Sequence, residues 1–185
     1  MRLPQPDWLA HRLIVDGPAD ALLTFRRAAA GSGMVAWWWD DDALAEDWFH
    51  LLLAGPHRSI SAIGARLLAN TMRDAVQQAR DHAVENSQFK RCPFDLNALM
   101  PVPAALLRRG ADDPSSLDWL WRHWGTTWPL RRVQVLVPEL NADGTTNCRF
   151  VCSFHAADWT PWPALANLRS RFPSLDIRVI PLYGG

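Results

Sequence analysis

Lysine is almost missing from this chain. Lys90 is the only one, so arginine carries nearly all of the positive charge. Arginine makes planar, two-pronged contacts that a lysine ammonium cannot. Net charge is also missing, since 19 Lys+Arg stand against 19 Asp+Glu. A domain that lives on phosphate backbones shows a basic excess, and its absence argues against nucleic acid as a partner. Cysteine is sparse and odd in number: Cys92, Cys148 and Cys152, with no CxxC spacing. On a strand, Cys148 and Cys152 would share a face about 13 Å apart, too far to bridge. Zinc would need more ligands close by, so neither a metal nor another cofactor is expected. Reduced, buried thiols fit a cytoplasmic protein. No run approaches the roughly 18 apolar residues of a membrane span, and the first seven residues lack the apolar centre of a signal peptide.

What is present is enough for one domain with a sizeable core: 185 residues, 49% of them hydrophobic. Tryptophan stands out at eleven residues. Four of them bracket two short segments, Trp124-Gly-Thr-Thr-Trp128 and Trp159-Thr-Pro-Trp162, the second preceded by Asp158. An indole is large, mostly buried, and carries an N–H that needs a partner. Such clusters mark either a packing nucleus or an aromatic-walled binding site.

The pattern of apolar residues sets the element order. Residues 12–15 read as a strand, and Asp16-Gly-Pro18 turns into a helix over 19–30 that stops at Gly31. Asp40, Asp41 and Asp42 precede a helix over 43–54. Ser59 can cap a longer one through about 85, whose line of Ile60, Ile63, Leu67, Leu68, Met72, Ala75, Val76 and Ala79 follows the helical period and is expected in the core. The prolines of 92–110 permit only short turns. Ser115 or Ser116 can cap a helix through about 123, ended by Gly125. Residues 131–137 alternate as a strand, 141–144 signal a hairpin, and 148–154 alternate again. Thr160 or Asp158 can cap a helix over 161–172, followed by a strand over 175–181.

This order, β-α-[helical insert]-β-β-α-β, predicts an α+β chain. Its fold class is a ferredoxin-like split βαβ sandwich: a four-stranded antiparallel sheet with two helices on one face and a helical insert after the first helix. The whole of 1–185 would be one domain, with a framework at 10–31 and 128–182 and the insert at about 34–125. Trp8, Trp37 to Trp39, Trp48 and Trp121 would glue the insert and the N-terminus to the sheet.

Two candidate sites follow. In the first, Trp124, Trp128, Trp159 and Trp162 line a pocket, with Thr126 and Asp158 as polar contacts. In the second, strand alternation turns Arg12, Arg132, Gln134, Arg149 and Arg178 to the sheet face opposite the helices, where they could grip an anionic partner. Each has a structural alternative: indoles tied to carbonyls within the core, and arginines paired to carboxylates such as Asp16 and Asp176. No catalytic residue is assigned. His123 and His155 flank the tryptophan segments, but no nucleophile sits in a strained turn, and His50, His57 and His82 lack metal spacing.

Several segments resemble the YubB-type ferredoxin-like family, an uncharacterised group of plasmids, phages and genomic islands. The likeness is carried by Arg12 to Pro18, by Phe94-Asp-Leu-Asn-Ala-Leu-Met-Pro-Val-Pro103, by Trp124-Gly-Thr-Thr-Trp128, and by Phe154 through Pro163 leading to Phe172-Pro173. Thr127 stands where the family has lysine and Pro129 where it has Asn or Asp, so a charged role does not carry over there. The resemblance implies the fold and a mobile-element association, and it implies no reaction. The functional expectation is a non-enzymatic binding protein with a host protein as partner, its oligomeric state open. A small-molecule or enzymatic pocket walled by the tryptophan segments is the second expectation.

Overall fold

The alternation expected for residues 12–15 extends much further, giving β1 over Trp8–Pro18. Its odd-numbered side chains from His11 to Val15 are buried, while Arg12, Ile14 and Asp16 face the other way. A computed structural model of the chain describes residues 6–54, 60–87, 92–136 and 147–182. The remaining elements are α1 Ala19–Ala29, α2 Asp41–Leu53, α3 Ala62–Ser87, α4 Leu96–Leu99, α5 Ala104–Leu107, α6 Pro114–His123, β2 Arg131–Leu136, β3 Asn147–Ala157, α7 Trp162–Arg171 and β4 Asp176–Pro181. The expected hairpin at 141–144 and the cap at Ser59 lie outside the described residues.

The chain is α+β, with one four-stranded sheet in the order β2-β3-β1-β4. Every neighbouring pair is antiparallel. By contacts in space it falls into two compact units, residues 38–86 and the rest.

The larger unit holds the sheet. Leu13 and Val15 of β1, Phe150, Cys152 and Phe154 of β3 and Ile177 of β4 form one buried cluster with Leu22, Phe25 and Ala29 of α1 and Ala164, Leu165 and Leu168 of α7. Phe25 makes edge-on ring contacts with Phe150 at 6.1 Å and with Phe172, just past α7, at 5.3 Å. Phe94, Leu96, Leu99, Val102, Leu120 and Trp124 belong to the same cluster. Residues 92–125, expected as part of the insert, therefore contribute directly to the sheet's core. An isolated bridge from Gly31 to Cys92 ties this segment to the end of α1. Asp95 caps α4 through the Asn97 N–H and also accepts from the Gly33 N–H. A β-carbon at Gly31 would stand 2.1 Å from the Asp95 carboxylate, so the close approach requires glycine there.

The smaller unit contains α2 and α3. Asp40, rather than the residues after it, caps α2 through the Ala43 N–H. Ser61 accepts from the Gly64 N–H at the start of α3. Here the expected core is corrected. Ala65 and Ala69 are buried, whereas Ile63 is 84% exposed, Leu67 69%, Leu68 41% and Met72 37%. The reason is electrostatic as well as steric. Arg66, Arg73 and Arg80, expected on the outer side, pair with Glu46, Asp42 and Asp41 of α2. Arg66 also lies 3.7 Å above the Phe49 ring. The buried positions of α3 are thus small alanines, and the arginine stems reaching to α2 replace the leucine stripe on its inner side.

Candidate functional site

The two tryptophan segments lie against each other. After α6, the chain turns at Gly125, whose φ of +77° is in the left-handed region. A β-carbon there would be 2.5 Å from Pro163, so the loop packs directly on the second segment. Thr126 is fully buried, and its hydroxyl donates to the Ala157 carbonyl. Trp124 is 1% exposed, and its Nε1–H donates to the Met100 carbonyl at 3.0 Å. These two residues are enclosed by packing. Trp159 and Trp162, by contrast, are 55% and 43% exposed. Trp128 is half-buried and meets Trp8 edge-on at 6.3 Å.

The side chains expected to cap α7 do other work. Asp158, at φ +62°, accepts from the Asp7 N–H through Oδ1, and its own N–H donates to the Asp7 carbonyl. It fastens the start of β1. The Thr160 hydroxyl meets Nε2 of His11 at 2.9 Å, while His11 Nδ1 faces the Leu9 carbonyl and its ring stacks on Phe154. Burial lowers the His11 pKa; the Leu9 contact opposes this and the nearby His155 adds to it. Asp113 caps α6 through the N–H groups of Ser115 and Ser116, in place of either serine. Trp38, Trp39 and Trp121, expected to be buried as glue, are 60%, 44% and 50% exposed.

The sheet face that carries Arg12, Asp16, Ser153 and Arg178 divides into two ends. At one end Asp16 receives Arg149 through Oδ1 at 2.6 Å and Arg178 through Oδ2, and Arg178 also reaches Asp176 at 3.0 Å. Arg149 and Arg178 are thus neutralised where they stand. At the other end a bulge changes the expected row. Arg131 pairs with His155 and Gln134 with Ser153, so β2 has one residue too many between them. Arg132, at φ +49°, absorbs the surplus. Arg131 consequently takes the place expected for Arg132, with its guanidinium carbon 4.1 Å above the Trp8 ring and 5.7 Å from that of Trp128. Arg12 and Gln134 are exposed on the same face.

Other chemistry is scarce. Burial pushes the Cys92 thiol up to about 11 and the Cys152 thiol to about 12, so neither is a nucleophile near neutral pH. All three cysteines are free. Among the described residues no group of His, Cys, Asp or Glu could hold a metal ion, and no helix is long and apolar enough to cross a membrane. A cleft of about 460 Å³ lies beside the end of α1, lined by Arg27, Ser32, Asp95 and Asn97. The last three already spend their side chains on local backbone groups. Comparisons with protein-family models, curated proteins and solved structures give no match to the chain.

Proposed function

We propose that the chain is a non-enzymatic binding protein that docks a second protein through the outward side of α3, on a ferredoxin-like framework of the YubB type. The framework reading is supported by the strand order β2-β3-β1-β4 with antiparallel neighbours. In it α1 leads from β1 past β3 to β2, and α7 leads from β3 past β1 to β4, as two interlocked split βαβ units require. Both helices contribute to one buried cluster with the same sheet residues. The framework carries residues 38–86 as an insert.

The docking reading rests on one observation. Ile63, Leu67, Leu68 and Met72 lie on successive turns of a helix, all exposed, while the arginines between them turn inward to α2. Contiguous apolar surface of this kind marks protein–protein interaction sites. The YubB-type likeness directs the search to host-cell proteins, and free thiols fit the cytoplasm. A pocket walled by the tryptophans has less support, because Trp124 and Thr126 are enclosed.

The test compares the parent with an Ile63→Lys/Leu67→Lys variant as bait in host lysate. Both positions are largely exposed, so stability should change by no more than about 0.5 kcal/mol. Proteins captured saturably by the parent and lost with the variant support the reading. Identical capture by both, or no saturable capture, overturns it.

A further inference from the structure

The two ends of the outer sheet face differ in one respect that matters for ligands. At the Asp16 end, Arg149 and Arg178 have carboxylate partners. At the other end, six residues form a two-by-three patch. Arg131, His155 and Ala10 make one row across β2, β3 and β1, and Gln134, Ser153 and Arg12 make the next. None of the six carries a carboxylate. Neither Arg12 nor Arg131 has an ion pair or hydrogen bond among the described residues, although both are exposed. Adjacent strands are about 4.8 Å apart and alternate residues about 6.7 Å apart, so the two long side chains can flank His155, Arg131 from the Trp8 side and Arg12 from the Ser153 side.

Three details make this more than two stray arginines. The Arg131 guanidinium carbon stands 4.1 Å over the Trp8 ring, a contact that positions the group and uses none of its N–H donors on a carboxylate. His155 Nδ1 is buried and has no hydrogen-bond partner among the described residues, which is unfavourable for a polar ring atom. Ala10, which pairs with His155, puts only a methyl group between Trp8 and Arg12 on β1. Two free guanidiniums, an imidazole, a hydroxyl and an amide match the oxygens of a tetrahedral oxyanion.

We propose that the patch of Arg12, Arg131, His155, Ser153 and Gln134 is a binding site for a phosphate group borne by a small molecule. It is independent of docking through α3, because all its residues belong to the sheet-bearing unit. The phosphate sits between the two guanidinium groups, over His155 and Ala10, and any planar part of the ligand extends towards Trp8.

The experiment is calorimetric titration of the full chain with inorganic phosphate and with phenyl phosphate, at constant ionic strength set by chloride. Saturable binding is expected. Arg12→Gln and Arg131→Gln should each weaken it roughly tenfold or more, the effect of losing a charge-assisted contact, with an unchanged unfolding midpoint. Ser153→Asp, which places a carboxylate beside Arg12, should abolish it. Arg122→Gln, on the outside of α6 and paired with Asp118, should leave it unchanged. Equal affinity for both ligands means that the anion alone is recognised; tighter phenyl phosphate means that Trp8 takes part. Lack of saturable binding by either ligand overturns the proposal. So does binding that both arginine variants retain in full, or binding of a single-stranded oligonucleotide without either small phosphate.

Discussion

Trp124→Ala should destabilise the protein by about 3–5 kcal/mol, the usual range for removing a large buried aromatic side chain. Trp124 justifies that range because it is 1% exposed and meets Trp119 at 6.2 Å. Losing its Nε1–H also strips the Met100 carbonyl of a donor, which adds about 1 kcal/mol. Against a typical domain stability of about 5–15 kcal/mol, this is roughly a quarter or more of the total. Urea unfolding followed by far-ultraviolet circular dichroism gives the value, provided that the slope is unchanged and only the midpoint moves. Trp124→Phe keeps most of the volume and should recover more than half of the loss. Trp159→Ala is the internal control: at 55% exposure it should cost no more than about 0.5 kcal/mol. If Trp124→Ala cost under 1 kcal/mol, or if both alanine variants cost the same, the division of the tryptophans into core and surface would be wrong.

Two further predictions concern pH. For Asp16, burial pushes the pKa up, and hydrogen bonds and charge from Arg149 and Arg178 more than reverse this, leaving it below its ordinary value. A depressed carboxylate contributes stability that is present above its unfolded pKa of about 3.9 and lost as pH falls through the folded value. Asp16→Asn should therefore cost about 1–2 kcal/mol at pH 7, and the gap to the parent should narrow in urea titrations below about pH 4. His11 has the opposite chemistry: its folded pKa lies below the unfolded value of about 6.5, so protonation favours the unfolded chain. Stability should be full above about pH 6.5 and fall as pH drops towards the folded value, and His11→Gln should flatten that fall.

Strand positions were legible because apolar and polar residues alternate along β1, β3 and β4, and that signal is local. The packing side of α3 was not. Its leucines and isoleucine follow the helical period over several turns, yet burial follows Ala65 and Ala69, and α2 offers carboxylates to the intervening arginines. The outer-face row was half legible. Arg12, Gln134, Arg149 and Arg178 alternate outward as expected, but the bulge at Arg132 has no glycine to announce it, so Arg131 was missed. Asp158 and Thr160 carry the residue types of a helix cap. Their partners, Asp7 and His11, lie 151 and 149 residues away in sequence, where no spacing rule reaches.

The fork at Asp16 has a consequence for how the sheet assembles. One carboxylate on β1 engages an arginine from each neighbouring strand, Arg149 from β3 and Arg178 from β4. If either neighbour slipped by a single residue, its arginine would turn to the opposite face, among Leu13, Phe25 and Phe150. A guanidinium buried there without a partner is heavily penalised. The same slip would leave the Asp16 carboxylate with one cation instead of two. The fork therefore acts as a proofreading device: it rejects misaligned strand pairings on both sides of β1 at once.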